Sequence, residues 1–162
     1  MRNSRRAMTV LVADDDEDDR RFIRKAWAKD RVPEDLRFVE DGEELTDYLN
    51  HFGAYSDPAS SPRPGMRLLD LNMPRKDGRE ALKEIKADPE LRQVPIIILT
   101  TSQADEDVCG SYDLGANSFI TKPLTFTALV NVMEVLGNYW MDVVDLAPSN
   151  AGHALGAIQM TR

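Results

Sequence analysis

The stretch PIIILT, residues 95–100, decides the fold. Its four aliphatic residues, Ile96 to Leu99, follow one another without the alternation of apolar and polar side chains that a half-exposed strand shows. Such a run is typical of a strand covered by helices on both faces, as in a parallel sheet. The stretch therefore predicts an inner strand of an α/β domain.

Similar short apolar segments occur on both sides of this strand and alternate with helical patterns. Four further strands are predicted, at Met8–Ala13, Leu36–Val39, Met66–Leu69 and Ser118–Thr121. Helices are predicted from Asp18 through Trp27, at Glu43–Asn50, from Asp77 to about Asp88, at Glu106–Leu114 and from Thr125 to about Asp145. Five β–α units imply a parallel sheet between two helical layers, because parallel strands need right-handed helical connections.

Periodicity and composition also predict which side chains of the first helix are buried and where the chain forms an exposed loop. The buried face of the first helix is expected to contain Phe22, Ile23, Ala26 and Trp27. The stretch His51–Gly65 is rich in Pro, Ser and Gly and predicts an exposed loop. His51 and His153 have no metal-ligand spacing, so both are expected to be solvated.

Length and charge restrict the class of protein. A chain of 162 residues can form one domain with a core, here assigned to 8–145 between a flexible segment, 1–7, and a tail, 146–162. The net charge of −8 disfavours nucleic-acid binding. No apolar run is long enough for an export signal or a membrane span, and the lone Cys109 fits a reducing compartment. We therefore expect a cytoplasmic protein with neither a nucleic-acid nor a membrane partner.

Polar side chains that can carry chemistry stand at the ends of four predicted strands. They are Asp14 and Asp15, Asp70, Thr100 with Thr101, and Lys122. Because functional sites of such sheets lie at the carboxyl ends of the strands, we expect these residues to meet. Three carboxylates at one place raise one another's proton affinity unless a cation is present. A hard divalent cation, with Mg²⁺ as the first candidate, meets this need.

This set of groups is suited to phosphoryl transfer. A metal ion and the Lys122 ammonium can spread the charge of the transferred group, and a carboxylate can accept it as an acyl phosphate. Four blocks of sequence also resemble the signature of the response-regulator receiver domain: Asp14-Asp15, DLNMP at 70–74 with Asp77-Gly78 beyond it, LTTS at 99–102, and Lys122-Pro123. The resemblance runs from about Met8 to Gly137. It implies a doubly wound, flavodoxin-like (βα)5 fold with strand order 2-1-3-4-5.

The resemblance also implies a phosphoacceptor and a metal site. Asp70 would accept the phosphoryl group from a sensor histidine kinase. Mg²⁺ would be held by Asp15, Asp70 and the backbone carbonyl of Asn72, with Asp14 acting through a water molecule. The four acids at positions 16–19 are expected to cap and solvate the first helix.

Further roles follow from the same resemblance. Thr100 would bond a phosphoryl oxygen, Thr101 would leave access to the site, and Lys122 would pair with the phosphoryl charge. Phe119 stands where the family has a switch aromatic. The Lys122–Pro123 bond is a candidate for a cis peptide bond.

A narrower resemblance connects the chain to receivers that partner bacterial and cyanobacterial phytochromes. It is carried by LTTSQADEDV at 99–108, SYDLGANSFITKP at 111–123, the long loop before Met66 and the absence of an output segment after the last helix. The chain departs from the commonest receiver pattern at 64–67, PGMR, because the apolar strand there is usually preceded by Pro-Asp. The resemblance implies a single-domain response regulator with a phytochrome-type kinase among its candidate partners.

Two other functions are alternatives to that of a single-domain response regulator. A phosphatase of the haloacid-dehalogenase kind also uses an Asp nucleophile and Mg²⁺, but it needs a second Asp two residues later as general acid, where this chain has Asn72. A pseudo-receiver that only binds partners would lack one of the key residues. The chain retains Asp15, Asp70, Thr100 and Lys122.

The last helix carries two apolar stripes. One, predicted to cover the sheet, contains Phe126, Leu129, Val130 and Met133. The second contains Val132, Val135, Leu136, Tyr139 and Val143. An exposed stripe of this kind predicts a homodimer, and cover by the chain's own tail at 146–158 is the alternative.

Overall fold

The computed structural model describes residues 9–28 and 35–139. The strands are β1 (Thr9–Ala13), β2 (Asp35–Val39), β3 (Met66–Leu69), β4 (Ile96–Thr100) and β5 (Ser118–Thr121). The helices are α1 (Glu17–Ala28), α2 (Gly42–Asn50), α3 (Gly78–Ala87), α4 (Asp105–Asp113) and α5 (Phe126–Gly137). The predictions for Met8, for Val143 and the helix end at Asp145, for His153 and for the segments 1–7 and 146–162 lie outside the described residues.

All five strands are parallel and lie in the order β2-β1-β3-β4-β5. The predicted α/β fold and strand order are therefore confirmed. The strands β3, β4 and β5 each begin within one residue of their predicted starts. In the inner strand β4, Ile96 and Ile98 face one apolar cluster while Ile97 and Leu99 face the other. The continuous apolar run thus reflects burial of both faces of the sheet.

Two helical layers cover the sheet. On one face α2 and α3 contribute side chains such as Leu45, Leu82 and Ile85 to the first cluster. On the opposite face α1 and α5 contribute Ile23, Trp27 and Met133 to the second. No helix in 9–28 or 35–139 combines the length and apolar character that crossing a bilayer requires.

Short polar side chains begin most of the helices. Asp41 accepts a hydrogen bond from the Glu44 N–H (2.7 Å) before α2, and Asp77 accepts one from the Glu80 N–H (3.0 Å) before α3. The Thr125 hydroxyl oxygen accepts from the Ala128 N–H (3.2 Å) before α5. These contacts pair N–H groups that have no partner within the helix, so the bounds follow from the sequence.

The loop between α2 and β3 is less exposed than its composition predicts. Ser61 and Pro64 are buried, and the Tyr48 hydroxyl donates to the Pro62 carbonyl (2.8 Å). A ring nitrogen of His51 lies 3.0 Å from the Ser61 carbonyl oxygen, so the expectation of a solvated His51 is wrong. The Gly65 N–H donates to the Thr9 carbonyl (2.8 Å), which returns the loop to the sheet.

Three apolar residues differ from their predicted positions. Phe22 and Phe126 are both partly exposed and pack against each other, with ring centroids 6.1 Å apart, rather than against the sheet. Leu136, assigned to the outer stripe of the last helix, is buried in the second cluster. Its spacing of seven residues from the buried Leu129 explains this, because positions i and i+7 share a helix face.

Arg67 is a buried charge within β3. Its Nη2 atom donates to the carbonyl oxygens of Leu91 (2.7 Å) and Val94. Burial, with a further contribution from Arg63, lowers the pKa of the guanidinium to about 9. Arg67 thus ties the start of β3 to the segment that leads into β4.

Candidate functional site

The predicted site residues meet at the carboxyl edge of the sheet. Asp14 directly follows β1, Asp70 follows β3, Thr100 ends β4 and Lys122 follows β5. Backbone hydrogen bonds extend the strand pairing to these positions, with the Asp70 N–H donating to the Ala13 carbonyl (3.0 Å) and the Lys122 N–H to the Thr100 carbonyl (2.7 Å). The strands themselves therefore hold the site residues in place.

Three acids form a compact group at this edge. Asp14, Asp15 and Asp70 each place one carboxylate oxygen so that all three atoms lie within 4.8 Å of one another. Asp14 and Asp70 are buried, whereas Asp15 is exposed. Hard divalent cations prefer oxygen ligands of this kind, so the donor set fits Mg²⁺. The Asn72 N–H donates to Asp70 Oδ1 (3.3 Å), which fixes the turn beyond the acids.

Lys122 neutralises part of this acidic group. Its Nζ atom lies 2.6 Å from Asp14 Oδ2, 2.8 Å from Asp19 Oδ2 and 2.8 Å from Asp70 Oδ2. Burial lowers the pKa of the ammonium, but the hydrogen bonds to the three carboxylates together outweigh burial and raise the pKa above its ordinary value. The lysine is therefore a permanent cation at the centre of the site.

The ionised form of Asp14 remains disfavoured although Lys122 contacts it. Burial raises the pKa of its carboxyl to about 6, and the hydrogen bond from Lys122 offsets only part of the effect. The neighbouring Asp70 charge raises it further. A second cation beside Asp14 would favour the ionised form of this carboxyl.

Both oxygen atoms of Asp70 are engaged. The buried Thr100 hydroxyl donates to Oδ1 (2.7 Å), and Lys122 contacts Oδ2. Thr101, next along the chain, is exposed, and its role in leaving access to the site stays a prediction. Asp70 is thus the carboxylate on which hydroxyl and ammonium donors converge.

Gly78 lets α3 begin against the end of β3. A Cβ atom at this position would lie 2.2 Å from the Asp70 carbonyl oxygen and 2.7 Å from the Leu71 Cα atom. Both neighbours are backbone atoms and cannot rotate away. The glycine of the Asp77-Gly78 pair is therefore required by the close approach of helix and strand.

The region around Phe119 agrees with the sequence in part. Phe119 is half-buried and packs against the first cluster, while its N–H donates to the Tyr112 hydroxyl (3.1 Å). Its role as a switch stays a prediction.

The Lys122–Pro123 peptide bond is trans, so the expectation of a cis bond is wrong. Lys122 reaches the acids from the intrinsically favoured trans form.

Asp19 is the site residue that the sequence analysis misassigned. Of the acids at 16–19, Asp16 caps the helix by accepting from the Asp19 N–H (3.0 Å), and Asp18 pairs with Arg21 (2.5 Å) on the surface. Asp19 instead turns toward Lys122. Helical periodicity could have indicated this, because Asp19 precedes the buried Ile23 by four residues and shares its face.

A second polar network, also missed, lies beside the site and joins α3 to α4. The Nε and Nη2 atoms of Arg79 donate to Asp107 Oδ1 (2.9 and 2.7 Å), and the Ser102 hydroxyl donates to Asp107 Oδ2 (2.5 Å). The bonds from Ser102 and Arg79 lower the pKa of the Asp107 carboxyl. The network fixes the loop that follows Thr100.

Comparison with known proteins identifies relatives of this arrangement. The sequence matches the family model of the response regulator receiver domain over residues 10–134. Response regulator Rcp1 of Synechocystis sp. is 35% identical over 137 residues, which cover 85% of this chain and 91% of the relative.

The chain is also similar to solved structures of response regulators. The phosphorylated cyanobacterial phytochrome response regulator RcpA has a TM-score of 0.82 at 37% identity, covering 88% of this chain and 100% of that one. Response regulator RPA3017, described in red light signaling of R. palustris, has a TM-score of 0.82 at 34% identity, covering 88% and 99%. The Mn²⁺-bound form of Rcp1 has a TM-score of 0.80 at 34% identity, covering 87% and 99%.

Proposed function

Since the chain belongs to the response regulator receiver domain family, in which phosphorylation of an aspartate is typical, we propose that it accepts a phosphoryl group on Asp70 from a sensor histidine kinase. One observation carries the assignment of Asp70. Its carboxylate shares the acidic group with Asp14 and Asp15 and also receives hydrogen bonds from Thr100 and Lys122. No other acid among the described residues combines these contacts.

The transfer requires the contacts on Asp70 to change. A carboxylate oxygen of Asp70 attacks the phosphorus of the kinase phosphohistidine, the new P–O bond forms, and the P–N bond breaks with its electron pair left on the imidazole nitrogen. Lys122 then moves its hydrogen bond from the carboxylate to a phosphoryl oxygen, and Thr100 does the same with its hydroxyl. Both donors start 2.7–2.8 Å from the reacting group, so the movements are small.

Mg²⁺ is part of the proposal. Asp14, Asp15, Asp70 and the carbonyl of Asn72 would hold the ion, and the three clustered carboxylate oxygens and the raised pKa of Asp14 support this. When bound, it would neutralise charge on the phosphoryl oxygens. The Mn²⁺-bound form of the relative Rcp1 is consistent with a divalent ion in this family.

The output is proposed to be a change of surface around α4 and β5. Once Thr100 turns to the phosphoryl group, Phe119 can move into the space beside it, and the surface that Phe119 supports changes with it. The partial burial of Phe119 beside the first cluster supports such a movement. The signal would pass as a repacking, with no covalent chemistry beyond Asp70.

The partner kinase is proposed to be of the phytochrome type, and the protein to be cytoplasmic. The likeness to the phytochrome response regulator RcpA and to RPA3017, described in red light signaling, supports the first proposal. Regulators of this family act in the cytoplasm as a rule, which supports the second. The phosphatase alternative has no support from the family match, and the convergence of Asp15, Asp70, Thr100 and Lys122 favours a phosphoacceptor over a pseudo-receiver.

We also propose that α5 carries a homodimer interface. Val135 on its outer face is 66% exposed, and Tyr139, two residues beyond its end, is 53% exposed. Beside them an apolar cavity of about 250 Å³ lies between α5 and the end of the sheet; it is lined by Ile120, Asn131, Val132, Val135 and Leu136. A second copy related by a two-fold axis could fill this hollow with the same side chains.

Labelling with a small phosphodonor tests the phosphoacceptor. The protein is incubated with acetyl phosphate and Mg²⁺, and intact mass is measured before and after acid treatment. The parent and the control Asp113→Asn, which alters an exposed acid at the end of α4, should gain one acid-labile phosphoryl group. Asp70→Asn should fold and gain none; equal labelling of Asp70→Asn would remove the assignment.

A further inference from the structure

Lys122 has three carboxylate partners, of which only two belong to the acidic group. Asp14 and Asp70 are members of that group, whereas Asp19 lies on the first turn of α1. The distance from Nζ to Asp19 Oδ2 is 2.8 Å, equal to its distance from Asp70 Oδ2. An ammonium has three N–H donors, so all three are used.

The partners differ in what happens to them during the proposed reaction. Asp14 and Asp70 both change surroundings, because one is a proposed metal ligand and the other becomes an acyl phosphate. Asp19 lies outside the acidic group, so its carboxylate neither binds the proposed metal ion nor accepts the phosphoryl group. It is thus the one contact of Lys122 that can persist through the reaction.

Among the described residues, few other polar groups lie near the Lys122 side chain to replace its contact with Asp19. A cavity of about 20 Å³ beside the Lys122 side chain is lined by Asp19, Ile23, Leu99, Lys122, Pro123 and Leu129. Besides Asp19 and Lys122, these lining residues are apolar. Lys122 is only 9% exposed, so without Asp19 its ammonium would be held by the reacting groups alone.

We propose that Asp19 is a positioning residue that anchors the Lys122 ammonium while Asp70 is phosphorylated. The inference rests on the proposed function of Asp70 and Lys122. Asp19 contacts neither the phosphoryl group nor the metal; it fixes the Nζ atom so that one N–H stays on Asp19 and another points to the phosphoryl oxygen. Positioning of this kind lowers the barrier because the donor is already in place when charge develops.

Asp19 can affect the rate of phosphorylation in two ways, by its own charge and by holding Lys122, and these two effects have opposite signs. As a negative charge near an incoming anion, Asp19 would slow phosphorylation, and Asp19→Asn would then accelerate it. As an anchor for Lys122, Asp19 would speed phosphorylation, and Asp19→Asn would slow it. Asp18→Asn is the matched control, because it removes the same charge from the same helix turn at an exposed position paired only with Arg21 in the described contacts.

The rate of phosphorylation by acetyl phosphate in Mg²⁺ is measured for the parent, Asp18→Asn and Asp19→Asn, and again in a Lys122→Ala background. We expect Asp19→Asn to be about fivefold slower than Asp18→Asn, a size typical of one partly exposed charged contact. In the Lys122→Ala background the two Asn variants should react at equal rates. Equal rates already in the parent background, or a faster Asp19→Asn, would overturn the proposal.

A spectroscopic measurement separates this proposal from the proposed function. In ¹⁵N-labelled protein without phosphodonor, the Lys122 ammonium should give a slowly exchanging signal in the parent and Asp18→Asn, and a signal broadened by exchange in Asp19→Asn. A signal unchanged in Asp19→Asn contradicts anchoring. If acetyl phosphate fails to phosphorylate the parent, the proposed function is contradicted instead. The ammonium signal would still report whether Asp19 holds Lys122.

Discussion

At the scale of single residues, the site sets one lysine ammonium against four carboxylates, of which Asp14 and Asp70 are buried. Lys122 stays charged because three carboxylates surround it, whereas the pKa of Asp14 rises to about 6 because burial outweighs its single bond to that lysine. The site therefore holds more negative charge than Lys122 alone can stabilise. The free energy of unfolding without metal should reflect this excess.

Asp14 gives a pH dependence whose sign follows from its pKa. The unfolded chain ionises this carboxyl near pH 3.8 and the folded chain near 6, so the folded state holds more protons between these values. The contribution of Asp14 to stability therefore falls as pH rises from about 4 to 6. In metal-free buffer, Asp14→Asn should be more stable than the parent above pH 6, by about 2 kcal/mol, and no more stable near pH 4. Urea unfolding across this range checks it; a difference independent of pH would contradict it.

A divalent ion should relieve the same excess of charge. Mg²⁺ that binds only the folded state raises the unfolding free energy, by ~1.4 kcal/mol at about ten times its Kd. Asp15 is the exposed member of the acidic group, so Asp15→Ala removes a ligand without disturbing the core. Thermal melts should show that Mg²⁺ stabilises the parent and the control Glu17→Ala but not Asp15→Ala. An equal shift in all three proteins would count against the site.

At the scale of elements, the sequence predicted what depends on local pattern and missed what depends on tertiary contact. The strands β3, β4 and β5 begin within one residue of their predicted starts, because their apolar runs are continuous. The sequence predicts a helix cap at Asp19, because only packing of α1 on the sheet brings this residue to Lys122. It predicts a solvated His51, because composition does not encode the contact of this ring with the Ser61 carbonyl.

The junction of β3 and α3 allows a paired glycine test. Gly78→Ala would place a methyl group 2.2 Å from the Asp70 carbonyl oxygen, so strand or helix must move. We expect a loss of about 2 kcal/mol or more in unfolding free energy, together with slower phosphorylation. Gly110→Ala in α4 meets nothing within 4 Å and should gain up to ~1 kcal/mol from helix propensity. Denaturant unfolding of both variants decides this; similar stabilities would show that the junction is not tight.

At the scale of the whole molecule, the candidate site and the proposed dimer interface lie in different places on the fold. The acids, Thr100 and Lys122 lie at the carboxyl edge, whereas the apolar cavity and exposed side chains of α5 lie on a helical face. Phe119 belongs to β5, the strand adjoining this cavity through Ile120. A change at Phe119 can therefore reach the proposed interface by a short path.

The proposed interface predicts a defined change in oligomeric state. The parent should be a dimer at micromolar concentration by light scattering, and Val135→Glu combined with Tyr139→Lys should give a folded monomer, because charges replace apolar side chains at the interface centre. Thr127→Glu with Asn138→Lys, at exposed positions outside the lining of the cavity, is the matched control and should remain dimeric. A monomeric parent would refute the interface.

Chemical mapping of the phosphoryl group tests the central claim most directly. The protein is phosphorylated by acetyl phosphate in Mg²⁺ and reduced with borohydride, which converts an aspartyl phosphate to homoserine, and the product is located by peptide mass spectrometry. We predict homoserine at position 70 and at no other aspartate. Homoserine at position 14, 15 or 19, or complete absence of homoserine from phosphorylated protein, would contradict it.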